Sequence, residues 1–324
     1  MKISITLIKV SLLKDTFIKD YSLSIRNEIL KETIMSKIRL LLLLLTTALA
    51  PIIWGSTYIV TSEFLPPNSP LMAAFMRALP AGTLLIMVTR TLPKGHWWWR
   101  IALLGFLNIG LFFYCLFYAA TYLPGGMAAL VMSSQALMVI VLSRFLLKSV
   151  LTSQHILAGI IGITGIGLLV LNNHADLNQT GIFIALLGTL SMALGVVLTK
   201  KWGRPEEMSL LGFTGWQLLF GGLILAPIAL SVEGIPNHIN LTNVLGYLYL
   251  GIIGAIVGYF LWFRGIEKLP AISISFLGFL SSVSACVLGY IFLQQAFTPS
   301  QLIGALAIFS SIILSNKTSK QSAL

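Results

Sequence analysis

Charge is scarce in this sequence. Asp, Glu, Lys and Arg make up 10% of its 324 residues, where a soluble domain carries about 25%. Acidic residues are the rarer sign, 10 against 21 Lys and Arg. Cysteine is nearly absent. The two present, Cys115 and Cys286, fall within apolar runs and read as small core residues, so no disulfide framework is implied. No polar segment between the apolar runs is long enough to fold as a ligand-binding domain, which disfavours a receptor. No GxxxxGK[ST] loop occurs, so ATP-driven transport by this chain alone is not expected. The period-two alternation of a transmembrane β-barrel is also missing.

What is present is apolar length. Hydrophobic residues make up 57% of the chain, and the mean hydropathy is +0.92. Ten apolar stretches stand out: 38–62, 70–90, 99–121, 125–147, 154–171, 180–199, 209–231, 243–263, 270–292 and 299–316. Each has the roughly 17–25 residues that a bilayer-crossing helix needs. Backbone groups in lipid must pair within their own segment, so the fold class expected is an all-α integral membrane protein of ten transmembrane helices.

A net charge of +11 would suit nucleic acid, but its distribution does not. With the N-terminus inside, Lys and Arg fall in every second loop: Arg90, Lys94 and Arg100; Arg144 and Lys148; Lys200, Lys201 and Arg204; Arg264 and Lys268. The outside loops hold Glu63, Asp176 and Glu233 and no Lys or Arg. This positive-inside pattern puts both termini in the cytoplasm and makes the lipid bilayer, not nucleic acid, the partner. Residues 1–35 mix apolar and charged side chains without an apolar core. They read either as an amphipathic helix on the inner leaflet or as an extension preceding a true start at Met35. Residues 317–324 are a cytoplasmic tail.

An internal repeat organises the remainder. Residues 122–159 and 268–304 both begin with Leu-Pro, run through an apolar helix, turn at Thr152 or Thr298, and enter a helix bearing Gly159 or Gly304. The halves are 36–172 and 180–316. Five spans is an odd number, so the second half must cross in the opposite direction, giving two inverted five-helix repeats with a substrate site between them. Small-residue stripes at Gly159, Gly162 and Gly165, and at Gly251, Gly254 and Gly258, suit close helix packing; the first could serve packing within the chain or a homodimer seam.

At this point the sequence resembles the drug/metabolite transporter superfamily, in particular its bacterial EamA-type exporters. Residues 40–316 carry the likeness: Trp54-Gly55-Ser56-Thr57-Tyr58, the lone Arg77, Tyr118 leading to Leu123-Pro124-Gly125-Gly126, the run from Gly126 to Ala136, and Ile256-Val257-Gly258-Tyr259. The resemblance implies a ten-helix inverted-repeat transporter of the inner membrane. The chain departs from many members in having Gln135-Ala136 and Ser281-Ser282 where a mid-helix Pro is common, and Ser149 and Gln295 near positions that often hold Glu.

No Asp, Glu or His lies well inside any of the ten stretches; His96, His155, His174 and His238 are in loops or at helix ends. Carboxylates and His are the usual intramembrane proton carriers. Their absence argues against carboxylate-mediated proton coupling, an intramembrane metal site or acid–base catalysis, and no cofactor is implied. Arg77 is the intramembrane charge. Side chains on a helix lean toward its N-terminus, here the outer surface, so Arg77 can snorkel to Glu63, to carbonyls ending the first helix, or to the Met76 carbonyl freed by Pro80. The alternative is contact with an anionic group of the substrate. Substrate-cavity candidates are Trp54, Tyr58, Asn108, Phe112, Ser134, Gln135, Met192, Gln217, Tyr259, Trp262, Ser273, Ser281 and Ser282, since polar groups in lipid are costly unless they face the interior. Trp97, Trp98 and Trp99 read as an interfacial belt, with no sign of a cation cage. Together these readings point to an exporter of small polar metabolites, amino acids or their derivatives, working by alternating access. An exporter of amphipathic drugs or cations is the alternative, and a membrane-embedded enzyme or receptor is disfavoured.

Overall fold

The computed structural model describes residues 30–119, 122, 131–170, 178–236, 238–293 and 298–319. Among the described residues all regular structure is helical. Eight helices are long and apolar enough to cross a membrane: α1 (Leu30–Phe64), α2 (Pro70–Thr89), α3 (Trp97–Ala119), α6 (Gln179–Trp202), α7 (Leu210–Val232), α8 (Leu241–Lys268), α9 (Ala271–Phe292) and α10 (Pro299–Asn316, whose last turn runs to Ser319). Two further apolar helices among the described residues are shorter, α4 (Val131–Leu146) and α5 (Ser153–Leu168). The chain forms two compact units, Met1–Leu45 and Thr46–Leu324. The described part of the first is an exposed helical segment from Leu30, beginning eight residues before the start expected at 38. Everything below concerns the second.

Local sequence explains several helix ends, and a distant carboxylate completes another. α2 starts on Pro70, which has no N–H to leave unpaired. The next two N–H groups, of Leu71 and Met72, donate to the two carboxylate oxygens of Glu233 at 2.8 and 2.7 Å. α6 is capped by Asn178, α7 by Ser209, and α8 by a reciprocal Asn240–Asn243 box. Lys200 and Lys201 sit in the last turn of α6, where a cation suits the helix dipole. Gly203 then ends that helix at φ +69°.

Glycines let the central helices touch through their backbones. A Cβ on Gly82 of α2 would lie 2.4 Å from the Leu219 nitrogen of α7, and one on Gly222 would lie 2.6 Å from Leu79 Cα. α5 and α10 meet in the same way. A Cβ on Gly162 would strike Ser311 Oγ and the Phe279 ring, and one on Gly165 the Gly304 carbonyl. Gly162 and Gly165 therefore face the chain's own α9 and α10, and Gly159 faces Leu137 of α4.

Five elements depart from regular α-helix: α1 is interrupted at Ser56 and α4 at Ser134, and three others depart further. α3 contains a π-helical turn at Phe106–Gly110, and α8 contains another at Leu250–Val257. α9 breaks at Gly278 and Phe279, so the continuous helix expected over 270–292 is two segments, Ala271–Leu277 and Leu280–Leu293. A π-turn adds a residue to one turn and frees carbonyls from the i→i−4 ladder; it recurs at functional sites.

Candidate functional site

The π-turn of α8 presents the Gly254 carbonyl to the interior. Two donors reach it: Trp54 Nε1 of α1 at 2.9 Å and Arg77 Nη2 of α2 at 3.1 Å. Arg77 is 4% exposed, so it does not snorkel. Glu63, the expected partner, instead accepts from Ser62 Oγ at 3.1 Å. The α8 π-turn brings a carbonyl within reach of the guanidinium, and sequence offers no view of that turn. Nη1 reaches Thr57 Oγ1 only at 3.5 Å, and Nε has no partner. The guanidinium lies over the Phe113 ring, 5.0 Å from its centroid, a cation–π contact that is stronger away from water.

Aromatic rings close around this group. Trp54 packs on Tyr259 and Trp262 with centroids at 5.0 and 5.2 Å, and Tyr259 packs on Phe113 at 6.2 Å. Tyr259 and Trp262 are fully buried, and Trp262 Nε1 has no hydrogen-bond partner. Gly258 makes the arrangement possible, because a Cβ there would sit 2.7 Å from Trp54 Nε1. Beside the aromatic group, Ser56 Oγ and Tyr249 OH share a hydrogen bond at 2.7 Å. Trp54, Arg77, Tyr259 and Trp262 are thus brought together as one site.

A second polar cluster forms where α3, α6 and α7 meet. Asn108, in the α3 π-turn, donates from Nδ2 to Gln217 Oε1 at 2.8 Å and to Thr199 Oγ1 at 3.2 Å. All three residues are buried. Asn108 Oδ1 and Gln217 Nε2 remain unpaired. Ser191 Oγ of α6 donates to the Leu107 carbonyl at 2.8 Å, again using an oxygen of a π-turn.

The other expected site residues are dispersed. Ser134 and Ser281 bond back to their own helices, at the Val131 and Gly278 carbonyls. Gln135, Phe112 and Ser282 are half-buried, and Met192 is buried. Ser273 is buried on α9 with its hydroxyl unpaired. The Tyr58 side chain, and residues 123–130 of the Leu-Pro entry, lie outside the described residues. Sequence reasoning missed Phe113 and Thr199. The Trp97–Trp99 belt also needs correction. Arg100 stands over Trp97, Trp99 and Trp202 at 5.3, 5.7 and 5.3 Å, so these rings do cage a cation, the chain's own.

Among the described residues no group of His, Cys, Asp and Glu could hold a metal. Apolar helices closing over a buried cation and paired amides fit a multi-pass membrane transporter. The chain belongs to the EamA-like transporter family, whose model matches residues 41–171 and again 179–317. It is 49% identical over 265 residues to Protein PecM of Dickeya dadantii, covering 82% of this chain and 89% of that one. It is 28% identical over 285 residues to a probable amino-acid metabolite efflux pump of Salmonella typhimurium, covering 82% and 92%. A crystal structure at 16% identity superposes with a TM-score of 0.73 over 86% of this chain and 97% of its own, a likeness of fold alone.

Proposed function

We propose that this protein exports small polar metabolites across the inner membrane by alternating access between two inverted five-helix repeats, 36–172 and 180–316, with both termini in the cytoplasm. One observation carries the reading. The two π-turns occupy corresponding places in the halves, and each offers a carbonyl to a helix of the other half. Leu107 in the first half receives Ser191 of the second, and Gly254 in the second receives Trp54 and Arg77 of the first. The pairings α2–α7 and α5–α10, and the mid-helix prolines Pro80 and Pro227, follow the same correspondence. Such crossed ties suit two halves that rock about a shared centre. The relatives named as amino-acid metabolite efflux pumps support a cargo of that size and polarity. Arg77 in the aromatic cluster weighs against the cationic cargo of the alternative reading.

With no carboxylate or His in the interior of a span, transport is expected to run downhill without a proton gradient. The test is counterflow in proteoliposomes against labelled amino acids, sugars and cationic dyes, before and after a protonophore. Counterflow of a polar metabolite that survives the protonophore is the expected result. Accumulation driven by an imposed pH gradient alone would refute the uncoupled mechanism, and counterflow of dyes only would refute the cargo.

A further inference from the structure

We propose that Arg77 is an anion site and that the substrate is a planar, conjugated carboxylate carrying no ammonium group; this rests on the export reading above and narrows its cargo. The argument starts from charge. Arg77 has five N–H donors and, at 4% exposure, two neutral contacts, Gly254 O at 3.1 Å and Thr57 Oγ1 at 3.5 Å. A buried cation held only by neutral oxygens and one ring face is undercompensated, because taking a charge out of water costs several kcal/mol or more unless a counter-ion is supplied. Among the described residues no acidic side chain supplies it, and Glu63 accepts from Ser62 Oγ. Glu233 caps α2, Glu267 pairs with Arg204 at 2.7 Å, and Glu207 pairs with Lys94. The missing counter-ion is therefore one that arrives with the cargo.

Geometry specifies the rest. Nε has no partner, and an arginine that offers Nε beside a terminal nitrogen presents the fork that matches a carboxylate. Around it Trp54, Phe113, Tyr259 and Trp262 offer ring faces and edges, the lining that a flat conjugated body fits. Trp262 Nε1 is a second buried donor with no partner, available to a carbonyl or second carboxylate oxygen. Nothing in this site offers an acid to an ammonium. Its strongest acceptor, the Gly254 carbonyl, already takes two N–H groups. Donors are in excess and acceptors are spent, so an anion fits better than a zwitterion. In this conformation the rings close over the guanidinium, and the site is reached when the halves move apart.

The test needs no cargo identified in advance. Purified full-length protein in lipid nanodiscs is titrated calorimetrically at pH 7.5 with three probes of similar size: planar cinnamate, its neutral planar isostere cinnamamide, and the non-planar zwitterion phenylalanine. Cinnamate is expected to bind at least about tenfold more tightly than either of the others, and Arg77→Lys to weaken it by at least about tenfold, since a point charge cannot reproduce the fork. Phe113→Leu, which removes the ring under the guanidinium, is a second variant for the case in which Arg77→Lys does not fold. The acid–amide comparison on the wild type requires no variant. Equal affinity for acid and amide, no cinnamate binding at millimolar concentration to the folded wild type, or cinnamate binding unchanged in folded Arg77→Lys would each overturn the proposal. The two readings fail separately. Counterflow of a neutral or zwitterionic metabolite without cinnamate binding removes the anion site and leaves export. Arg77-dependent cinnamate binding without counterflow of labelled cinnamate or of any metabolite in the panel removes export and leaves the site.

Discussion

Gly195 is what allows Asn108 to sit against α6. A Cβ at that position would lie 2.0 Å from Asn108 Oδ1, so Gly195→Ala must push the amide away from Gln217 and Thr199. Overpacking of this kind costs about 1–3 kcal/mol, and the displaced amide adds the cost of unpaired polar groups. Thermal unfolding in detergent should show Gly195→Ala clearly destabilised. Gly251→Ala is the control, because nothing lies within 4 Å of its Cβ position, and it should be neutral or slightly stabilising. Equal unfolding temperatures for the two variants would contradict the packing described. Coupling to Asn108 can be isolated in the same way: Gly195→Ala should cost less in an Asn108→Ala background.

At the scale of the helix, the Glu233 carboxylate ties the start of α2 to the end of α7 through the Leu71 and Met72 N–H groups. Both oxygens are used, so Glu233→Gln replaces one acceptor by a donor that faces an N–H, and removes a negative charge from a helix N-terminus. A loss of about 1 kcal/mol is expected, and about 2 for Glu233→Ala; hydrogen exchange at the first turn of α2 is the local readout, and unchanged protection there would rule out the cap. Elements of this kind divide by how far sequence reaches. The long helices were legible because apolar length is a composition signal, and α2 was placed to within a residue. Caps such as Asn178 and Ser209 are local and could be read. The Glu233 cap joins residues more than 160 positions apart, which no local pattern encodes. The π-turns have no residue signature either; FLNIG and LGIIGAIV read as ordinary apolar helix. That blindness explains the outward aim given to Arg77: the oxygen that holds it, of Gly254, lies in the α8 π-turn.

For the whole molecule, the direction of insertion is the property most open to test. The loop charges put 203–208 in the cytoplasm and 233–240 outside. A cysteine at exposed His238 should react with an impermeant maleimide in intact cells, and one at exposed Glu206 should react only after the membrane is opened. The native Cys115 and Cys286 are buried and half-buried and provide the background. The opposite pattern would reverse the orientation, and labelling of both from outside would remove the inverted arrangement of the halves. The family model matches the chain twice, over 41–171 and 179–317, and the paired Leu-Pro and Gly positions in the sequence point to the same repetition. The two polar clusters were visible only as candidates, since what brings Asn108 to Gln217, and Arg77 to Gly254, is helix crossing through glycines.

The Gly254 oxygen has a bearing on how the protein can change over generations. The fastening of α1 and α2 to α8 ends on a main-chain atom, and every residue that could replace glycine would carry that same atom. Point substitution at the acceptor cannot delete it. What can is a change in the number of residues in the turn that turns it inward. The heritable information for this joint is therefore held in chain length over Leu250–Val257 more than in the letters at those positions. Lineages that keep the joint are expected to tolerate altered residues there and to lose it through single-residue deletions.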